Sequence, residues 1–388
     1  MGFVVGLASS GHQVEGDNRD SDWWEFETLP DSGCVEPSGR AVEHFLRYRD
    51  DIRLFRDLGM TAYRFSVEWS RVEPKEGQFD PAAIRHYVDV VRACRESGIF
   101  PMVTLSHFSM PAWIWREGGW TSSRAPEAFR RFVEHVVPQL GTEVGAYCTL
   151  NEPNLPMCAF YDRKGERFHK VNGLEMPFPM CHAQESRDVQ LEAHRLAVRA
   201  VRAASSAPVG MTLNMSEYVA VDGGESKVEE IRRECEDVFL EACREDDFVG
   251  VQNYGRRLVG PEGFRKWEGE VDFLGCDYAP QALDACLRHA ASVSGKACYV
   301  TEHGSCFPGD DRRRRMVDDA MRSIARCLRD GVDVRGYFHW CAFDAFEWRI
   351  GYKLDFGAIA VDRETQVRSP KPSARRIGVI ARYLAGRS

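Results

Sequence analysis

The chain has 388 residues, enough to bury a large core as two domains or as one large α/β barrel. Hydrophobic residues make up 44% and charged residues 28%, an ordinary balance for a globular enzyme. The formal charge of −8 argues against a nucleic-acid binder, and no apolar stretch reaches the length of a membrane span.

The 13 cysteines are odd in number, form no C-x-x-C pair and show no zinc pattern. They mostly sit singly in apolar stretches, as at Cys94, Cys286 and Cys327. Buried reduced thiols account for them and point to a cytoplasmic location. Residues 1–10 are apolar but carry no Lys or Arg, so a first buried strand is expected there instead of a secretion signal.

Short apolar runs then alternate with stretches of helical period. Strands are expected at 3–8, 60–67, 99–105 and 145–150. Helices fit between them: at 41–58, stopped by Gly59; around Ile84 to Val91, ended by Gly98; and around Phe129 to Val136. The second half continues with strands at 209–213, 248–251, 297–301 and 334–340. Its helices fall at about 187–204, 226–244, 280–293, 314–330 and 372–385. The basic run Arg312 to Arg315 reads as a solvated helix start, since Asp310, Asp311, Asp318 and Asp319 flank it. Eight strand–helix units without a linker predict one closed (β/α)8 barrel spanning 1–388 as a single domain. A doubly wound sheet is the rival, but no G-x-G-x-x-G follows the first strand. The stretch 155–185 lacks periodicity and is expected to be a long loop over the site, carrying Lys164, Arg167, Lys170, Pro177 and Pro179.

Chemistry in such barrels sits at the C-terminal ends of the strands. Every expected strand contributes a polar or aromatic group there: Gln13, Arg64, His107, Asn151 with Glu152, Asn214, Gln252 with Asn253 and Tyr254, Glu302, and Trp340 with Glu347. Gln, His, Asn and Glu make directional hydrogen bonds to hydroxyls, and Trp faces stack on pyranose rings. Trp340 and Trp348 are the tryptophans best placed for that use. Two glutamates directly follow strand-like runs, in Thr149-Leu150-Asn151-Glu152-Pro153-Asn154 and in Val300-Thr301-Glu302-His303-Gly304. Two carboxyls at one site are what glycoside hydrolysis requires.

His12-Gln13-Val14-Glu15-Gly16, Tyr63-Arg64-Phe65-Ser66, Trp69-Ser70-Arg71, the two glutamate motifs and Phe346-Glu347-Trp348 run in order from residue 12 to residue 348. In this set the chain resembles glycoside hydrolase family 1, the β-glucosidase and β-galactosidase family, over nearly its whole length. The resemblance implies that Glu152 is the acid/base and Glu302 the nucleophile of a retaining, exo-acting β-glycosidase. Gln13, His107, Asn151 and Glu347 would hold the glycone, Trp340 would stack on it, and Trp348 would add an indole donor. Arg64 and Tyr254 would contact the nucleophile, and Asn214 is placed with Arg64 as nucleophile support. Neither metal nor organic cofactor is implied. The expected partner is a small-molecule β-glycoside, with neither nucleic acid nor membrane; oligomeric state is not legible.

Four departures from the family pattern bear on substrate preference: His303 where Asn is usual, Phe108 for Trp, Gln252-Asn253-Tyr254 for Asn-Tyr-Tyr, and Ala345 for Asn. Retention of Glu347 and Trp348 favours a non-phosphorylated sugar, because a carboxylate there repels phosphate. Retention of Glu152 favours ordinary O-glycosides over thioglycosides. Two other readings fit the same scaffold: a catalytically silent sugar-binding protein, or a transglycosidase sharing the same covalent intermediate.

Overall fold

The computed structural model describes residues 2–162, 176–178, 182–273 and 275–386. Eight parallel strands close into a barrel: β1 (Val4–Ala8), β2 (Ala62–Ser66), β3 (Phe100–Ser106), β4 (Ala146–Asn151), β5 (Val209–Ala220), β6 (Phe248–Gly260), β7 (Ala297–His303) and β8 (Val334–Trp340). Each pairs with its neighbours in chain order, and β8 returns to β1 through Val4↔Gly336 to Ala8↔Trp340. With helices between the strands, this is the (β/α)8 barrel that the alternation predicts.

Strand period sorts the core into two layers. Val4 and Ala8 face the barrel interior with Ala62, Phe100, Met102, Ala146, Cys148 and Phe338. Val5, Leu7, Tyr63 and Phe65 point the other way, into the apolar layer beneath the helices. Arg64 lies between Ala62 and Ser66 on β2 and is fully buried, so a charge occupies the barrel where its neighbours are apolar.

The helices follow local signals. Asp80 caps the helix Pro81–Glu96 by accepting from the Ala82 N–H at 2.7 Å, with Pro81 in the first turn. Helix His44–Leu58 stops at Gly59, whose φ of 100° no other residue adopts cheaply.

Several expectations need correction. Strands β5 and β6 do not end at 213 and 251; they run on past the barrel as a paired extension through Tyr218↔Arg257 and Ala220↔Val259. Antiparallel pairing with Gly263–Arg265 continues this arm. Its residues are only partly buried, so it lacks the unbroken apolar run that marks a barrel strand. The expected loop begins as a helix, Leu155–Tyr161, with Pro156 in its first turn, and helix Ala183–Ala204 takes up its end. Lys164, Arg167, Lys170 and Pro179 lie outside the described residues. The expected helix at 226–244 is interrupted by a π-helical turn at Arg233–Asp237. Arg313 is not solvated like its neighbours: it is buried and pairs with Asp310 at 2.7 Å. Among the described residues, no helix is long and apolar enough to cross a membrane.

Candidate active site

A cavity of about 240 Å³ opens at the C-terminal ends of the strands. Gln13, His107, Glu152, Asn214, Tyr254, Glu302, Trp340, Glu347 and Trp348 line it, all singled out from sequence. Phe108, expected near the sugar as a departure from the family pattern, lines it too, as do Phe178, Ser216, Arg256, Arg257 and Phe356, which sequence reasoning did not place there. The signal available for Arg256 and Arg257 was the run Tyr254 to Gly260 continuing strand six, which the expected end at 251 cut off.

Glu302 is held from both sides. Arg64 donates through Nη1 to Oε1 at 2.6 Å, and the Tyr254 hydroxyl donates to Oε2 at 2.6 Å. The lateral order of the barrel explains the partners, because Tyr254 lies on β6, the neighbour of β7. Arg64 is itself fixed by Thr104 Oγ1 at 3.1 Å, the Thr301 carbonyl at 3.3 Å and Asn151 Oδ1 at 2.5 Å. One guanidinium thus ties β2 to β3, β4 and β7. Its planar fork suits this, and the buried pair remains charged because several hydrogen bonds satisfy it.

Asn151 does not line the cavity. Its carboxamide oxygen accepts from Arg64, from Gln252 Nε2 at 2.9 Å and from Thr212 Oγ1 at 3.2 Å, while its Nδ2 lies 3.2 Å from His107 Nε2. Its oxygen thus orients Arg64, and its Nδ2 stands beside His107.

Glu152 lies in different surroundings. Its φ of 45° is in the left-handed region, a strain typical of functional positions, and its backbone N–H is anchored on the Thr212 carbonyl at 2.8 Å. Asn214 donates through Nδ2 to Glu152 Oε1 at 3.1 Å. This corrects the grouping of Asn214 with Arg64: β5 is adjacent to β4, which carries Glu152, and β6 separates it from β7, which carries Glu302.

Burial raises both carboxyls, but unequally. Glu152 is pushed well above the usual carboxylate range by burial and then by the negative charge of Glu302. For Glu302, burial is countered by Arg64 and by the Tyr254 hydroxyl. Burial therefore bears harder on Glu152, which lacks a hydrogen-bonded cation among the described residues, than on Glu302, which Arg64 and Tyr254 compensate. Glu347 is raised to about 8 by burial and the charge of Glu302, with the Gln13 amide, 3.0 Å from its Oε2, opposing this. His107 is kept neutral by burial and by Arg64. Trp340 stacks on the His107 ring at 5.5 Å, and Trp348 stacks on His12 at 5.5 Å.

An Asn214→Ala variant tests the revised grouping. The Asn214 amide lowers the Glu152 carboxyl, so its loss should move the alkaline limb of the kcat/KM profile upward and leave the acid limb in place. A shift confined to the acid limb would show that Asn214 serves Glu302 after all.

His194, Cys243 and Asp246 form the one group of metal-ligand type found among the described residues, and it lies away from the cavity. The His194 ring is already engaged by Thr149 at 2.8 Å and Asp246 at 3.2 Å, so a buried ion pair accounts for the cluster.

Two buried carboxyls in unlike surroundings, in one cavity walled by indoles, are the arrangement that glycoside hydrolases require. The profile of "Glycosyl hydrolase family 1" matches residues 1–253 and 270–382, and the chain belongs to that family. Its backbone resembles the crystal structure of the β-glycosidase BGL167, with a TM-score of 0.93 and 45% identity over 98% of this chain and 96% of that one. It also resembles the β-glucosidase 1317, with a TM-score of 0.94 and 36% identity over 98% of each. A β-glucosidase of an Agrobacterium species is 27% identical over 98% of this chain and 94% of its own length. The protein is a β-glycosidase, an O-glycosyl hydrolase.

Proposed function

We propose that the protein is a retaining, exo-acting β-glycosidase with β-glucosides as its main substrates, acting through Glu302 as nucleophile and Glu152 as acid/base. The observation that carries this reading is the opposite provision made for two buried carboxyls in one cavity. Glu302 is aimed and kept anionic by Arg64 and Tyr254; Glu152 has only an amide donor and keeps its proton. In the first step a Glu302 carboxylate oxygen bonds to the anomeric carbon. The bond from that carbon to the leaving oxygen breaks, and that oxygen takes the Glu152 proton, releasing an alcohol. Esterification removes the charge of Glu302, the influence that raises Glu152 after burial itself, so Glu152 more readily becomes a carboxylate. It then accepts a proton from water as the water oxygen bonds to the anomeric carbon and frees Glu302.

A cavity of about 240 Å³ falls just below the usual span of ligand sites, roughly 300–1,000 Å³, which suits one terminal sugar unit and supports exo action. Gln13, Glu347 and His107 would take its hydroxyls, with Trp340 and Trp348 against its face. Glu347 has the Gln13 amide as its partner and, among the described residues, no cation beside it to receive a 6-phosphate, which supports an unphosphorylated glycone. The relatives named β-glucosidase support glucose. The cysteines of the described residues are free and mostly buried, which supports a reducing, cytoplasmic site of action.

Proton NMR of 4-nitrophenyl β-glucoside hydrolysis tests the proposal. The β-anomer of glucose should appear first and mutarotate later. Initial release of the α-anomer would sink the retaining reading, and turnover of 6-phosphoglucosides alone would sink the glycone assignment.

A further inference from the structure

The cavity wall beyond Glu152 carries a cation that the glycone chemistry does not use. Arg257 stands on the extension of β6, opposite Tyr218, and lines the cavity with Ser216, Leu155 and Arg256. Arg256 is already neutralised: its Nε donates to Asp277 Oδ2 at 2.6 Å, and its guanidinium lies 4.3 Å from the Trp267 ring. Arg257 is half-buried, and no hydrogen bond or ion pair joins its guanidinium to another described residue. Asp162 is the carboxylate whose charge reaches it, and Asp162 has interactions of its own. Removing a guanidinium partly from water without an adjacent anion is unfavourable, so such a group in a substrate cavity marks a place for one.

The cavity is also lined by aromatic side chains. Phe108 and Phe178 meet edge to face at 4.7 Å, and each lies 5.5 Å from Trp348. An aromatic ring fits among these edges. Glu302, a carboxylate paired with Arg64, shares the cavity. One guanidinium matches one planar carboxylate, which its two parallel N–H groups can hold at once.

We propose that Arg257 anchors a carboxylate on the leaving group, so that the enzyme's preferred substrates are β-glycosides of hydroxyaryl carboxylic acids. This rests on the β-glycosidase reading above and adds the class of aglycone. Arg257 acts in binding the leaving group and takes no part in the bond changes, so its effect belongs in KM.

The test compares 4-carboxyphenyl β-glucoside with its methyl ester at neutral pH. The ester carries the better leaving group, so intrinsic reactivity favours it. The wild-type enzyme should nevertheless prefer the acid in kcat/KM by about 10-fold or more, the scale of a charge-assisted hydrogen bond. In Arg257→Gln the acid-to-ester ratio should fall about 10- to 100-fold, carried by KM, and Arg257→Lys should recover part of it. A wild-type ratio at or below one overturns the inference even if the variant fails to fold. An unchanged ratio in a folded Arg257→Gln variant also overturns it. Turnover of the ester and of other neutral glucosides would leave the β-glycosidase reading intact in either case. Inertness towards every glucoside would overturn both.

Discussion

Replacing Glu302 with alanine is expected to lower kcat on 4-nitrophenyl β-glucoside by at least about 10⁴-fold, since a covalent nucleophile has no substitute in its own step. The loss should persist even with the best leaving groups, because leaving-group activation does not replace the missing attack. Azide enters the space vacated by the side chain and attacks from the same face. The product of rescue should therefore be the α-glycosyl azide. The fold should survive: Arg64 loses one partner but keeps Thr104, Thr301 and Asn151. Circular dichroism and a thermal melt separate this outcome from unfolding. Rates within tenfold of wild type, or a β-configured azide product, would overturn the assignment of Glu302.

Glu152→Ala should behave differently, and the contrast is the strongest test of the two roles. General acid catalysis contributes roughly 10²- to 10⁴-fold, and the need for it scales with the basicity of the leaving oxygen. Alkyl glucosides should lose activity across that range. Dinitrophenyl glucosides should retain rapid glycosylation and slow only at the water step, leaving the glycosyl-enzyme to accumulate as a burst. Azide should accelerate that step without base help and yield the β-glycosyl azide.

The pH profile carries the same information. Glu152 must be protonated, so wild-type kcat/KM falls as pH rises through its elevated pKa. Glu302 must be ionised, so the rate falls as pH drops through its own. Glu152→Ala should abolish the alkaline limb and keep the acid one. Retention of both limbs would assign the alkaline limb to another group, with Glu347 at about 8 the first to examine.

The barrel was legible because its strands are buried on both faces. Runs such as Phe100 to Ser106 carry no exposed position to break the pattern. The site was legible because each strand end delivers a residue to it, which makes a rim of polar groups readable before any contact is known. What failed was lateral. Sequence order placed Asn214 on the rim but not beside its partner, and that follows only from β5 lying next to β4. The resemblance implied a sugar ligand at Asn151 but not the second duty of its oxygen, which accepts from Arg64, Gln252 and Thr212. The arm beyond residue 251 was missed because half-buried strands with Arg256 and Arg257 do not announce themselves by apolarity.

The extension of β5 and β6 past the rim divides the enzyme's inheritance into two parts. Glu302 and Asn151 are cross-tied through Arg64 to several strands at once, so a change in one of them is felt by the other. The arm pairs mainly with itself and reaches the cavity only from its outer side. Drift in the arm can therefore exchange one class of leaving group for another while the bond-breaking apparatus stays as it was, and a lineage built on this scaffold can diversify its diet without relearning its chemistry.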